Sequence, residues 1–256
     1  MASWTNLLTE FIIKNCVINE SREQGIYISN SGTSFIEIVN TTVAKSGDRG
    51  MAFYGSPRSL FVSGNTFAWN KNGAIRDSRH GQSTILFQSN DFFENDGPTI
   101  EMVYAGAGTT WTFMNNTFTA NRGFSVMVFG TSPYVYQRPT VIISGNTFRA
   151  NTCTDKGVID IRWSVAEFEL RENYFVSNIG RCMLLEGIAR YSSISISHNL
   201  FKMNDCKDKS LIEAQRMNED TKFTNNTLAQ NVAKNVILVQ AVQKKDLSTQ
   251  DRKSVV

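Results

Sequence analysis

Short apolar runs with period-two alternation recur along the chain, and each leads into a polar turn that ends on asparagine. Leu60-Phe61-Val62, Ile85-Leu86-Phe87, Trp111-Thr112-Phe113, Val141-Ile142-Ile143, Phe168-Glu169-Leu170 and Ile194-Ser195-Ile196 show the pattern. Alternation that stops at a turn predicts a half-buried strand. The turn opens a second motif, Asn146-Thr147-Phe148-Arg149-Ala150-Asn151, or Asn-x-Phe-x-x-Asn. It returns from Asn65, Asn90, Asn116, Asn173 and Asn199, and from Asn226 with Leu228 in the Phe slot. Weaker copies start at Asn15, with Val17, and at Thr41, with Val43. A further apolar run follows each second Asn, as in Gly25-Ile26-Tyr27-Ile28, Gly50-Met51-Ala52-Phe53 and Gly157-Val158-Ile159-Asp160-Ile161. Each repeat therefore holds at least two strands, and no stretch carries a helical period.

Successive starts at 15, 41, 65, 90, 116, 146, 173, 199 and 226 are 24 to 30 residues apart. Units of this size, each unable to bury its own apolar face, imply a stacked array. Strands joined by turns too short for a crossover helix fit an all-β, right-handed parallel β-helix of about nine to ten coils. At an interstrand spacing of ~4.8 Å, nine coils make a rod of about 40 Å. Stacked at one corner, Asn65, Asn90, Asn116, Asn146, Asn173, Asn199 and Asn226 would hydrogen-bond coil to coil and satisfy turn backbone. Phe67, Phe92, Phe118, Phe148, Phe175 and Phe201 would form a second, buried column. A solenoid grows by adding coils, so residues 1–242 read as one domain, with 243–256 a polar tail or linker to a further domain.

Lys+Arg 26 against Asp+Glu 23 gives a net charge of +3, too small to argue for nucleic acid, and no basic stripe is interleaved with aromatics. No apolar run approaches membrane-spanning length, and the first residues lack the basic start and unbroken apolar core of a signal peptide. Four sequons, at Asn19, Asn40, Asn115 and Asn225, match the N-glycosylation acceptor and point outside the cell. Asn115 and Asn225 precede a ladder Asn, in the slot held elsewhere by Gly64, Ser89, Gly145, Glu172 and His198, so that slot should face water. Cys153 and Cys206 each fall two residues after a second ladder Asn, two coils apart, with the short turn Asn178-Ile179-Gly180 between. This placement predicts a Cys153–Cys206 disulfide and an oxidising compartment. Cys16 and Cys182 read as buried free thiols.

The repeat resembles the pectin-lyase-like β-helices over residues 11 to 241, and that resemblance raises the prospect of a polysaccharide-active enzyme. The catalytic motifs of those enzymes are missing: no Asn-Thr-Asp, Asp-Asp, Gly-His-Gly or Asp-Pro-His occurs. The best acid candidates are Asp160, Glu186 and Glu213, each on the strand after the turn in three successive coils. Facing outward, they would sit about 5 and 10 Å apart, within reach of a glycosidase pair. Glu101 and Asp77 would extend the column, while Arg162, Arg181 and Arg190 beside it would favour ionised acids. His80 and His198 are too far apart in sequence for a metal site, and no cofactor motif is present. The coils, sequons and sparse cysteines also resemble metazoan cell-surface β-helix ectodomains of the bark beetle/Anakonda type. That resemblance implies a non-catalytic extracellular module for cell–cell adhesion or junction scaffolding. Its partner would be a protein or a second copy of the chain, with a glycan as a further candidate.

Overall fold

The computed structural model describes residues 10–29, 35–55, 57–78, 82–103, 108–130, 139–162, 165–186, 193–217 and 221–241. The expectations for 243–256, His80 and Arg190 lie outside these residues. Each coil contributes three main strands rather than the two most visible in the sequence, and two coils add a short fourth, Arg122–Gly123 and Thr152–Cys153, which pair with each other. Five residues such as Thr84–Gln88 enter a first sheet, three such as Asp91–Phe93 a second, and four such as Ile100–Val103 a third. Each of these sheets has nine strands, and every pairing is parallel to the same element of the coils before and after. No helix occurs among the described residues.

Two corners per coil make this path possible, and both need a left-handed backbone. At the first corner Asn15, Asn40, Ser89, Asn115, Glu172, His198 and Asn225 have φ of 48 to 58°, with Gly64 and Gly145 in line. At the second, Glu20, Lys45, Trp69, Glu94, Ala120, Ala150, Ser177, Met203 and Gln230 repeat the conformation at 48 to 60°. A non-glycine residue in this region is costly unless its surroundings hold it there. The residue following each corner does that holding. Asn116 and Asn146 show the geometry: Asn146 Oδ1 accepts from the Asn116 backbone N–H at 2.9 Å and from Asn116 Nδ2 at 3.0 Å. Asn146 Nδ2 in turn donates to Asn173 Oδ1 and to the Phe113 carbonyl of the preceding coil. One amide thus ties three coils together and supplies partners for backbone groups that the corner turns out of the sheet ladder.

The second Asn column, Asn70, Asn95, Asn121, Asn151, Asn178, Asn204 and Asn231, repeats this arrangement. Its Nδ2 groups donate to the carbonyls of the aromatic column one coil back, as Asn151 does to Phe118 and Asn178 to Phe148. Between the two Asn columns, the rings of Phe67, Phe92, Phe118, Phe148, Phe175 and Phe201 stack with centroids 4.6 to 5.3 Å apart and planes within 10°. That spacing is the interstrand distance itself, so the offset-stacked geometry that aromatic rings prefer comes with the register.

Three expectations need correction here: the register of the first coil, the burial of Cys16 and the Cys153–Cys206 disulfide. The first coil is out of register by one residue: Val17 pairs with Thr42 and Ile18 with Val43, so Cys16 and Ile18, not Asn15 and Val17, occupy the ladder slots. Asn15 sits in the left-handed corner, and Cys16 is exposed rather than buried. The cysteines are free thiols. Bridges from Thr152 to Ile179 to Asp205 place Cys153, Gly180 and Cys206 in one slot on consecutive coils. Two interstrand spacings put the Cys153 and Cys206 Cα atoms about 10 Å apart, beyond the roughly 7 Å that a disulfide spans. Gly180 has φ of 100°, and a Cβ there would collide with the Cys153 carbonyl oxygen, so the intervening turn packs directly against Cys153 and separates it from Cys206. Cys206 instead meets Cys182 in a thiol–thiol hydrogen bond, and burial pushes the Cys153 thiol up to about 12.

Removing members of the two columns should separate their contributions. Phe148→Ala should cost about 3–5 kcal/mol in chemical denaturation as a cavity inside a continuous stack. Asn146→Ala should cost at least about 2 kcal/mol, because it strands the Asn116 amide and the Phe113 carbonyl in the interior. A loss below about 1 kcal/mol for either would show that the column does not hold the coils.

Candidate functional site

The third sheet carries a cluster of ion pairs on its outer side. Its register differs from the one expected of the three acids. Asp160 pairs with Leu184, and Leu184 with Glu213, whereas Glu186 pairs with Arg162. Asp160 and Glu213 therefore share a row with an apolar residue between them, about 10 Å apart at two interstrand spacings. Glu186 lies in the next outward row along the strand. Glu101 belongs to the Asp160 row through Val128, but Asp77 pairs with Phe53 and Met102 in an inward row. The single column of carboxylates is thus split by the two-residue period of the strand: neighbouring outward rows are two residues apart, and a one-residue change of parity turns a side chain into the core.

Cations engage each of these outward acids. Arg49 reaches across two coils to place Nη2 2.6 Å from Glu101 Oε2, with Arg76 Nε 3.6 Å from the same oxygen. Arg181 Nη2 lies 2.7 Å from Glu213 Oε2 and donates through Nη1 to the Lys156 carbonyl. Lys156 Nζ stands 3.8 Å from Glu186. Arg162 clamps Asp160 Oδ2 through both Nε and Nη2 at 2.6 Å, and its guanidinium lies over the Phe124 ring at 5.5 Å. Arg181 stands beside the acids as expected from the sequence, whereas Arg49 was not singled out there. Both occupy the slot two residues before the strand, held in intervening coils by Gly73, Pro98, Ser125 and Gly157, so aligning the repeats would have exposed Arg49 as well.

Asp160 is the unusual member. It points outward yet is 0% exposed, walled by Arg162 and its row neighbours Val128 and Leu184. Burial pushes its carboxyl up from the ordinary range, and the Arg162 hydrogen bonds and charge pull it partly back. Its second oxygen, Oδ1, is buried with no hydrogen-bond partner. Among the described residues no group of three His, Cys, Asp or Glu is placed to hold a metal ion.

The four sequon asparagines, Asn19, Asn40, Asn115 and Asn225, are exposed. Three of them occupy the left-handed first corner, where the side chain projects from the rod. Asn225 Nδ2 lies 3.1 Å from His198 Nε2, so a glycan there would displace that contact.

A parallel three-sheet solenoid with asparagine corners is the architecture of a β-helix protein. The family model described as the right handed beta helix region matches residues 4–175, well over half of the chain, and the chain belongs to that family. No curated protein and no solved structure matches it. No helix among the described residues is long and apolar enough to cross a membrane.

The buried acid gives a pH test with a definite sign. Asp160 holds its proton more tightly folded than unfolded, so its contribution to stability is present in acid. That contribution is lost as pH rises from the unfolded value of ~3.9 through the raised folded one. Asp160→Asn keeps an acceptor for Arg162 but removes the titration. Urea midpoints should show the wild type losing ground to the variant as pH climbs upward from about 4. Parallel curves, or a gain for the wild type, would contradict the assignment.

Proposed function

We propose that this chain is a non-catalytic interaction module of the cell exterior, a rigid rod whose long flanks contact a protein partner or a second copy in adhesion or junction scaffolding. The observation that carries the reading is the state of the outer carboxylates. Glu101, Glu213 and Asp160 are each held by an arginine at 2.6 to 2.7 Å, and Glu186 by Lys156. A glycosidase needs one accessible acid near neutrality and a second, ionised carboxylate facing the same bond. Here the acid with the raised pKa is sealed from solvent, and the two sharing its row are each engaged by an arginine, Glu213 by Arg181 beyond an intervening leucine and Glu101 by Arg49 beyond an intervening valine. The exposed sequons support a place in the secretory route.

A second reading, a secreted polysaccharide-active enzyme, draws on Asp160 itself. A carboxyl raised by burial, with one oxygen free of partners, is what a general acid would offer if the surrounding side chains moved aside.

The two readings separate in one experiment. Secreted protein incubated with neutral and anionic polysaccharides should release no reducing ends and no unsaturated products, and sedimentation should report self-association or capture of a cell-surface protein. Turnover that disappears in Asp160→Asn or Glu186→Gln would replace the adhesion reading with the enzymatic one. Expression through a secretory pathway should also add glycan mass that falls stepwise in Asn40→Gln and Asn115→Gln, and an unmodified secreted chain would count against the exterior location.

A further inference from the structure

Trp69 breaks the rule of its own column. The second left-handed corner is otherwise filled by charged, polar or small side chains and one methionine, and none of these is a ring. A bulky residue at φ of 56° is unusual, and Trp69 is 48% exposed, so its indole adds little to the core. The ring is nevertheless fixed. Its Nε1 donates to Glu94 Oε2 of the next coil at 2.9 Å, and it meets the Phe93 ring edge-on with centroids 5.6 Å apart at 85°. An exposed indole held from two sides is a preorganised platform, with its entropy of ordering already lost in the free protein.

Hollows of about 340 and 290 Å³ lie on either side of it. The larger runs along the outer face of the second sheet, where Thr42, Thr66, Asp91 and Thr117 share one register on four consecutive coils. Hydroxyls and a carboxylate thus follow one another at ~4.8 Å beside the ring. Ala68 floors this groove next to the indole. The smaller hollow is lined by Lys71, Glu94, Asp96 and Arg122 beside the indole.

We infer that the Trp69 ridge is a binding site for a neutral oligosaccharide, a pyranose stacking its C–H face on the indole while its hydroxyls bond to the Thr66–Asp91–Thr117 row. The volume of about 340 Å³ falls at the small end of small-ligand sites, which run from roughly 300 to 1,000 Å³. Sugars combine an apolar ring face with a rim of hydroxyls, which matches an aromatic platform bordered by acceptors. Charge selects among sugars. Asp91, Glu94 and Asp96 outnumber Lys71 and Arg122 around the ridge, so uronates and sulfated glycans are disfavoured. This site lies on the second sheet and its corner, away from the ionic third-sheet face, and it goes beyond the non-catalytic reading without depending on it.

The test is calorimetric titration of the whole chain with cello-, laminari-, manno- and N-acetylchito-hexasaccharides, and with oligogalacturonate as the anionic probe. At least one neutral hexasaccharide should bind, oligogalacturonate should not, and Trp69→Ala should weaken binding by about tenfold or more, as loss of an aromatic anchor does. The same column holds Ala120, Ala150 and Lys45, so Trp69→Ala and Trp69→Lys place at this corner residues it already accommodates, and unchanged melting of either variant shows the loss to be local. Asp91→Asn should weaken the same sugar. The inference falls if no neutral hexasaccharide binds, if binding persists undiminished in both Trp69 variants, or if oligogalacturonate binds in preference. None of these outcomes touches the turnover assay of the third-sheet acids.

Discussion

Everything in this molecule depends on satisfying the backbone at the corners. A sheet pairs its own amides, but a chain that folds through two left-handed corners in every coil turns N–H and C=O groups away from their ladder partners. Left alone in a dry interior, each such group would cost about 1–3 kcal/mol. The asparagine carboxamide replaces the missing peptide with the same two functions: Oδ1 accepts the stranded N–H, and Nδ2 donates to the stranded carbonyl. Because each Oδ1 also receives the Nδ2 of the neighbouring Asn, the replacement works only when the next coil supplies one too. The interaction is therefore periodic by necessity, and it enforces equal corners on coils whose connections differ in length.

That necessity explains what could be read from the chain. Side chains that must stack identically leave an identical letter at each repeat, so the Asn and Phe spacing disclosed the solenoid, its parallel pairing and its approximate coil number. The three-residue strand carrying Phe92 or Phe148 was hidden inside the corner motif, because a strand that short has no room to show alternation. The first coil was misread for a related reason. Cys16 and Ile18 take the Asn and Phe slots in the first described coil, and the nearby Asn15 offered a tempting wrong register.

Outward positions obey no such rule, and there the sequence was a poorer guide. Asp160, Glu186 and Glu213 occur at a similar distance after their turns, yet a two-residue offset separates Glu186 from the other two and brings Arg162 beside it. The cysteines failed through spacing along the rod: a shared slot on alternate coils is close in sequence logic but two strand separations apart in space. Cys182, from the coil between, is the one that reaches Cys206. Arg49 crosses two coils to Glu101, a partnership that no local pattern announces.

The division between inside and outside also bears on how such a rod acquires activity. Interior columns are bound to one residue type by their neighbours above and below, so change is costly there. Each outward slot faces solvent and tolerates charge, hydroxyl or ring, and adjacent coils deliver any chosen pair at a fixed separation of ~4.8 Å. Asp160 shows the limit of that freedom, because an outward acid flanked by Val128 and Leu184 and covered by Arg162 loses the solvent that would keep it ordinary. Trp69 shows its use. A corner conformation that the backbone requires anyway holds an indole clear of the core, and the next coil supplies Glu94 and Phe93 to fix it. The fold provides position and rigidity at no further cost to the interior, and the chemistry of the flank is then set by which side chains occupy a few outward slots.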